Sequence, residues 1–198
     1  MTHFAEHGYE VIRGAVHSQT LQLLATEFQM LKDNNYYFQG KAANAYQGDG
    51  QTEKSFFWYA PYCFESLMVI MQEKIETVTQ KKLAPAYSYA RIYYKGATLD
   101  KHVDRPSCQY SASVCIENDQ KPWTFWFKNR HGQDVPLLLE AGDMVVYQGD
   151  ELTHWREEYE GNKQIQTFIH YVEVDGKFDD YVFDKRPMLG LPGNARRG

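Results

Sequence analysis

Residues 91–104 read RIYYKGATLDKHVD, a stretch in which two short segments flank a glycine. Its first, largely apolar half predicts a strand, Gly96 predicts a turn, and a second strand would lead into His102. Alternate residues of a strand project to one face, so His102 and Asp104 are expected to lie side by side. A His-x-Asp tripeptide also arises by chance, and a solvent-exposed polar strand edge is the plain alternative.

Short strands continue after this stretch. From residue 85 onward the chain contains seven or eight strand candidates, with Gly, Pro, Asn or Asp in most gaps and no helical pattern between them. The candidates are residues 87–94, 99–104, 109–116, 122–128, 135–139, 143–147, 152–156 and 164–174. This spacing favours an antiparallel double-sheet jelly roll. The aromatic content of 15% agrees with a β-rich core, because aromatic side chains fit pleated surfaces.

The N-terminal part has a different texture. Residues 9–13 alternate like a short strand, and Ser18 is a candidate N-cap for a helix with apolar residues three and four apart. Residues 61–83 predict a second helix. Residues 34–59 have no clear period and predict a long loop that acts as a lid or simply covers the sheet.

Together these patterns predict one domain over residues 1–198, mainly β with flanking α-helices. Residues 1–84 would form the N-terminal strand, helices and loop, with the helices packed on one sheet. Residues 85–174 would form the jelly-roll core, a double-stranded β-helix, and residues 175–198 a C-terminal strap. The length is sufficient for one substantial core.

Composition excludes several classes of protein. The net charge of -5 argues against a broad nucleic-acid-binding face. No apolar run approaches membrane-spanning length, and the first residues lack the pattern of a signal peptide. The three cysteines have no paired spacing, which argues against a disulfide framework. We therefore expect a cytoplasmic protein that binds neither nucleic acid nor membrane; the oligomeric state is left open.

A second histidine completes a possible ligand set. His154 lies 50 residues beyond Asp104, after several predicted strands, and a jelly roll can return it beside His102. Two imidazoles and one carboxylate occupy one face of an octahedral metal and leave three positions open, which is the ligand set of non-haem Fe(II) oxygenases. The predicted metal ligands are His102, Asp104 and His154.

The ordered motifs resemble the Fe(II)/2-oxoglutarate-dependent dioxygenases, in particular their prolyl-4-hydroxylase-like branch. The stretch 91–104 looks like that branch's Tyr-x-Gly followed by His-x-Asp. Residues 141–147, AGDMVVY, look like its Gly-Asp strand start, and residues 154–171 look like its distal His, turn and last core strand. The resemblance implies an iron-dependent oxidoreductase that uses 2-oxoglutarate and O₂ as co-substrates to hydroxylate a C–H bond. It also implies ascorbate as a reductant.

The resemblance further implies residues that bind the co-substrate. The family places a basic residue nine or ten positions after the distal His, and Lys163 stands nine positions after His154. Lysine cannot form the bidentate pair that arginine forms, so neighbouring hydroxyls are expected to assist it. The candidates are Tyr94, Tyr110 and Ser113. Leu99 stands where the family often has a tyrosine.

The substrate is the least determined feature. The candidates for substrate contacts are Arg156, which should share a face with His154, and also Arg105 and Trp58. His170 is an odd number of residues from Lys163 and is expected to face away from it as a packing residue. The resemblance favours a prolyl residue of a peptide or protein. A free amino acid or other small metabolite is the enzymatic alternative, and a non-catalytic jelly-roll module that binds a metal or ligand is the other.

Overall fold

The computed structural model describes residues 2–37, 45–47, 52–121 and 123–195. Within these ranges the helices are α1 (His3–His7), α2 (Ser18–Tyr37) and α3 (Tyr62–Thr79). The strands are β1 (Tyr9–Ile12), β2 (Ala45–Gln47), β3 (Ser55–Tyr59), β4 (Leu83–Tyr94), β5 (Leu99–His102), β6 (Tyr110–Asn118), β7 (Phe125–Lys128), β8 (Asp134–Leu137), β9 (Met144–Gln148), β10 (His154–Arg156) and β11 (Lys163–Glu173). Two stretches of 3₁₀ helix are Pro106–Cys108 and Asp179–Lys185.

The strands form two antiparallel sheets. The major sheet has the order β1-β9-β6-β11-β4-β3-β2, and the minor sheet has the order β5-β10-β7-β8. Their facing sides enclose a core rich in aromatic and aliphatic residues, namely Tyr9, Leu99, Cys115, Phe125, Phe127, Leu139, Val145, Tyr147 and Leu152. Neighbours within each sheet are mostly distant in sequence, as in a jelly roll. The predicted jelly-roll fold is therefore confirmed.

The long helices cover the outer side of the major sheet. In α2, Leu21, Leu24 and Phe28 recur at three and four residues, so they form one apolar stripe that is buried. In α3 the buried residues are Phe64, Leu67, Met68 and Ile75. Both stripes share a core with outward-facing residues of β4, β6 and β11. The major sheet is thus buried on both faces, and the expected packing of helices on one sheet is confirmed.

The register of β4 and β11 decides which side chains face the other sheet. Arg91 lies opposite Gln166, and Tyr94 lies opposite Lys163. Ala90 and Ile92 belong to the helix-side core, so their odd-numbered neighbours on β4 face the minor sheet. Antiparallel partners share a face, which means that the even-numbered residues of β11 near this point also face inward.

The structure corrects the predicted loop over residues 34–59. Helix α2 continues to Tyr37, and strands β2 and β3 lie within the same interval; residues 38–44 and 48–51 lie outside the described residues. Strand β3 pairs with β4, and Ser55, Phe56 and Phe57 are all buried. A strand covered on both faces does not alternate between polar and apolar residues, and this is why no period was visible.

Smaller differences concern element ends. Helix α1 was not predicted because it is a single short turn, capped by the Thr2 hydroxyl and ended by Gly8 at φ 84°. Helix α3 ends at Thr79 rather than at residue 83, since Gln80 is left-handed and Leu83 begins β4. Ser18 is the first residue of α2. No helix among the described residues is long and apolar enough to cross a membrane.

The C-terminal segment is anchored to the domain by a buried ion pair. Arg186 is fully buried, and its Nη2 lies 2.6 Å from Glu65 Oε1 of α3. The same guanidinium donates hydrogen bonds to the carbonyl oxygens of Phe183, Ala86 and Leu191. These contacts tie the C-terminal segment to α3 and to Ala86 of β4.

Candidate metal centre

Two paired strands and one loop bring His102, Asp104 and His154 together. His102 ends β5, and His154 begins β10 directly opposite it in the minor sheet. Asp104 lies just past β5, so the Gly149 carbonyl, which accepts its backbone N–H at 2.8 Å, positions it rather than strand alternation. Asp104 Oδ1 is 3.6 Å from Nε2 of His102 and 3.6 Å from Nε2 of His154.

The far nitrogens of both imidazoles are held by the backbone. Nδ1 of His102 lies 2.7 Å from the Asp100 carbonyl oxygen, and Nδ1 of His154 lies 2.8 Å from the Leu152 carbonyl oxygen. A carbonyl can only accept, so each Nδ1 carries its hydrogen and each Nε2 keeps a lone pair. In a metal site this arrangement fixes the tautomer and the ring orientation.

Gly149 allows the loop before His154 to pass close to Asp104. A Cβ atom at this position would overlap the Cys108 carbonyl oxygen, Asp104 Oδ2 and Ser111 Oγ. Only glycine leaves room for the backbone here. The stretch between β9 and β10 is therefore tied to the carboxylate as well as to His154.

The second oxygen of Asp104 belongs to a buried polar network. The Ser111 hydroxyl lies 3.2 Å from Asp104 Oδ2, 3.0 Å from the Cys108 carbonyl oxygen and 2.8 Å from His170 Nδ1. Burial lowers the pKa of His170 to about 4, so this imidazole is neutral near pH 7. Ser111 therefore links the candidate ligand Asp104 to an uncharged histidine on β11.

Charge at the three residues is strongly coupled. Burial alone would raise the pKa of the Asp104 carboxyl, but the neighbouring imidazoles of His102 and His154 outweigh burial and hold that pKa well below its usual range. Burial alone would lower the pKa of His102, yet the nearby Asp104 carboxylate and the hydrogen bond to the Asp100 carbonyl raise that pKa overall. A carboxylate with two basic nitrogens is a site prepared for a cation.

The donor set suits a divalent transition metal. Ligand atoms of His102, Asp104 and His154 all lie within 4.8 Å of one another, and two imidazoles with one carboxylate form the facial set of non-haem iron. A second group, Asp104 with Cys108 and His170, meets the same distance. Burial raises the pKa of the Cys108 thiol, so this sulfur is protonated and a poor ligand.

A cavity of about 320 Å³ opens beside these residues between the two sheets. Strand β4 contributes four alternate side chains to it, Tyr87, Tyr89, Arg91 and Tyr93, and β11 contributes Phe168 and His170. Its wall is therefore largely aromatic, with one buried guanidinium. The Arg91 guanidinium donates to the hydroxyls of Ser55 and Tyr89.

The structure places Lys163 away from the cavity. This residue lies opposite Tyr94 on the helix side of the major sheet, where its Nζ is 2.6 Å from Glu117 Oε1 and it borders a groove along α2. Tyr94 faces the same way, with Lys32 Nζ 5.2 Å from its ring centroid. Neither residue lines the cavity. His170 faces away from Lys163, as expected. It is not only a packing residue, because its side chain lines the cavity beside the candidate metal centre.

The other predicted side chains divide between the two faces. Tyr110 belongs to the helix-side core and contacts Phe4, so it is remote from the cavity. Ser113 faces between the sheets, where it accepts a hydrogen bond from Gln166 at 2.9 Å. Trp58 packs against the helix-side core. Its neighbour Phe57 stacks on Tyr89 from the cavity side instead.

The two predicted substrate arginines have different surroundings. Strand β5 ends before Arg105, so alternation does not apply; Arg105 lines the cavity and forms a bidentate pair with Asp184 at 3.0 Å and 3.0 Å. Arg156 is buried between the sheets, with its Cζ 4.6 Å from the Trp123 ring centroid and 4.4 Å from that of Phe125. Burial lowers the pKa of Arg156 to about 10, which leaves it charged near pH 7.

Sequence reasoning missed Arg91, Ser111 and the site-facing role of His170. One signal was available in YSYARIYY, residues 87–94, where tyrosine or arginine occupies every odd position. This alternation predicts a polar aromatic face of one strand. Ser111 had no comparable signal, because its partners come from three different elements.

No family model and no curated protein matches the sequence significantly. Solved structures do match it. A prolyl-4-hydroxylase from Pseudomonas putida aligns with a TM-score of 0.67 at 13% identity, covering 86% of this chain and 95% of that one. HygX from Streptomyces hygroscopicus, with nickel, 2-oxoglutarate and hygromycin B bound, aligns with a TM-score of 0.67 at 12% identity, covering 98% and 94%.

A third match is an oxidoreductase of the 2OG-Fe(II) oxygenase family from Burkholderia pseudomallei, with a TM-score of 0.65 at 10% identity, covering 85% of this chain and 87% of that one. At identities this low, the structural alignments establish a shared fold. The resemblance that the sequence motifs indicated is confirmed at that level. The chain has the jelly-roll fold of the iron- and 2-oxoglutarate-dependent oxygenases.

Proposed function

We propose that this protein is an Fe(II)- and 2-oxoglutarate-dependent oxygenase that hydroxylates a C–H bond. The observation that supports the proposal most strongly is the meeting of His102, Asp104 and His154 at the edge of an aromatic cavity in a jelly roll. The ligand types, the free Nε2 atoms and the shared fold all agree with it.

In this proposal the three residues hold iron, which supplies O₂ activation coupled to the oxidative decarboxylation of 2-oxoglutarate. The rest of the work falls to the protein. The carbonyls of Asp100 and Leu152 orient the imidazoles, and Ser111 orients the carboxylate. The rings that line the cavity exclude water and hold the substrate beside the metal.

The cavity admits a compact substrate group. Its volume of about 320 Å³ is at the low end for small-molecule sites. A prolyl residue presented by a peptide and a free small metabolite both fit this size. The two structural neighbours differ in the same way, since one is a prolyl-4-hydroxylase and the other has hygromycin B bound.

The test is turnover of 2-oxoglutarate. The purified protein is supplied with Fe(II), 2-oxoglutarate, O₂ and ascorbate, together with a panel of prolyl peptides, amino acids and metabolites. We expect succinate to form in step with a hydroxylated product. His102→Ala should abolish succinate formation, whereas His131→Ala, an exposed histidine outside the site, should not. Iron binding without any succinate would favour a non-catalytic binding module.

A further inference from the structure

The interior of the barrel contains a buried guanidinium, that of Arg156, which forms no ion pair with the described residues. Arg156 is 2% exposed and donates one hydrogen bond, from Nη1 to the Trp123 carbonyl oxygen at 2.8 Å. Its Nε and Nη2 atoms are buried and have no hydrogen-bond partner within the described part of the chain. The ionisable groups that act on it most strongly are two pocket-lining tyrosines, Tyr93 and Tyr147, with Cys115 and Tyr159.

A guanidinium in this position calls for an anion. These four groups are phenols and a thiol, not carboxylates, so none of them is an anionic partner of the kind that arginine pairs with. Burying an unpaired charge is strongly unfavourable, and burying donors without acceptors adds to the cost. Nε and Nη2 are adjacent in the planar fork, where a carboxylate accepts two parallel hydrogen bonds. The missing partner is therefore best matched by a carboxylate that enters from outside.

Arg156 lies on the same strand as a candidate metal ligand. It follows His154 by two residues on β10, and both side chains contact the Phe125 ring from within the barrel. Two residues of a strand span roughly 7 Å. That separation is on the scale of a five-carbon dicarboxylate whose other end reaches the metal.

The other cations near the sheets already have partners. Lys163 is paired with Glu117 on the opposite face, and Arg105 is paired with Asp184. Arg91 donates to two hydroxyls at the wall formed by β3 and β4. Arg156 alone among these four has two buried donors without a protein acceptor in the described chain.

We propose that Arg156, and not Lys163, binds the distal carboxylate of 2-oxoglutarate; this inference rests on the proposed function. The anchor would then stand on the strand of the distal histidine instead of on the next strand. In that arrangement β10 completes the co-substrate site, and β11 presents His170 and Phe168 to the cavity.

The experiment measures binding, not turnover. Isothermal titration of the Mn(II)-loaded protein compares 2-oxoglutarate with 2-oxopentanoate, which has the same chain length but no distal carboxylate. The wild type should prefer 2-oxoglutarate by on the order of 100-fold, the value expected for a charged bidentate pair. Arg156→Met should bind both compounds equally weakly, and Arg156→Lys should retain an intermediate preference.

Lys163→Met is the matched control, and it should keep the full preference. The inference is overturned if Arg156→Met retains the preference or if Lys163→Met loses it. If the Mn(II)-loaded wild type binds neither compound, the proposed function itself fails, so the two failures are distinguishable. Mn(II) affinity of each variant is measured first, and it should stay at the wild-type value because Arg156 is not a metal ligand.

A purely structural role for Arg156 predicts a different result. If the guanidinium mainly holds Trp123 in place, Arg156→Met should lower the melting temperature without changing the relative affinity for the two compounds. Our inference predicts that the melting temperature of the free protein is unchanged or raised, because an uncompensated buried charge has been removed. Addition of 2-oxoglutarate to the Mn(II)-loaded protein should then stabilise the wild type and not this variant.

Discussion

Both histidines of the candidate metal centre are oriented by the same kind of local hydrogen bond. In each, Nδ1 donates to the carbonyl two residues earlier, Asp100 for His102 and Leu152 for His154. This hydrogen bond costs no additional side chain, because the backbone supplies the acceptor. Asp104 cannot use it and depends on a hydroxyl from another strand, Ser111. Of the three candidate ligands, the carboxylate is thus the one whose orientation depends most on tertiary contacts.

Ser111→Ala should weaken Mn(II) binding by about tenfold, the lower end of the usual effect of removing an outer partner of a ligand. The hydroxyl contacts both Asp104 Oδ2 and His170 Nδ1, and alanine replaces neither contact. Titration calorimetry measures the affinity. Ser113→Ala is the matched control, since Ser113 is equally buried on the same strand but bonds to Gln166. Equal affinities in the two variants would contradict the role of Ser111.

Along a strand, odd and even positions alternate between the two faces, and this alternation determines which side chains reach the candidate metal centre. Strand β11 is buried on both sides. Its odd residues face the helices, and its even residues face the candidate metal centre.

The C-terminal segment constrains the cavity wall as well. Phe183, Asp184 and Lys185 are consecutive non-glycine residues with positive φ, a costly conformation. Their placement brings Asp184 to Arg105 and to the Tyr59 hydroxyl at the cavity wall.

The helix layer contains a carboxyl that should make stability depend on pH. Burial raises the pKa of Glu27 on α2 from 4.5 to about 7, and its buried Oε2 has no hydrogen-bond partner among the described residues. Between these pH values the folded state retains a proton that the unfolded state has lost. Stability contributed by this group is therefore full below pH 4.5 and falls as pH rises to about 7.

Glu27→Gln should remove this dependence. The variant should gain roughly 1–2 kcal/mol over the wild type at pH 8, after allowance for partial exposure, and little at pH 4.5. Urea unfolding at the two pH values measures the difference. Glu6→Gln, an exposed glutamate on α1, serves as the control. A gain of the same size at both pH values would show that Glu27 is not the titrating group.

At the scale of the whole molecule, a bound metal would join parts of the chain that are distant in sequence. His102 and His154 belong to the minor sheet, while Asp104 is tied through Ser111 to the major sheet. An ion at this point links the two sheets directly. Because the unfolded chain lacks a preformed site, binding free energy becomes stabilisation of the fold.

Mn(II) at 100 times its dissociation constant should stabilise the protein by about 2.7 kcal/mol. For a chain of this length that corresponds to a rise in melting temperature of roughly 5–10 °C. Differential scanning fluorimetry with and without Mn(II) measures the shift. His102→Ala should show none, and His131→Ala should show the full shift. A shift that survives His102→Ala would place the stabilising ion elsewhere.

The spacing of residues along the chain was sufficient to predict the fold class and to name the three residues that the structure brings together as a candidate metal centre. Strand spacing after residue 85 predicted the jelly roll, and the His-x-Asp with a distal histidine predicted the ligand set, whose members the structure brings within 4.8 Å of one another. Such features are local, since residue type and spacing along one strand or turn are enough to recognise them. The buried strand β3 escaped recognition because burial on both faces removes the alternation that identifies a strand.

Only the packed sheets show which cationic side chains face the candidate metal centre. Lys163 stood at the expected spacing after His154, yet pairing with β4 opposite Tyr94 turns it toward the helices. A shift of one residue in strand register exchanges the two faces, and sequence spacing does not specify that register. Arg156 was named from its spacing to His154, but its missing partner became visible only with the packed barrel. Burial and the absence of an acceptor are properties of the assembled sheets, so they exist only in three dimensions.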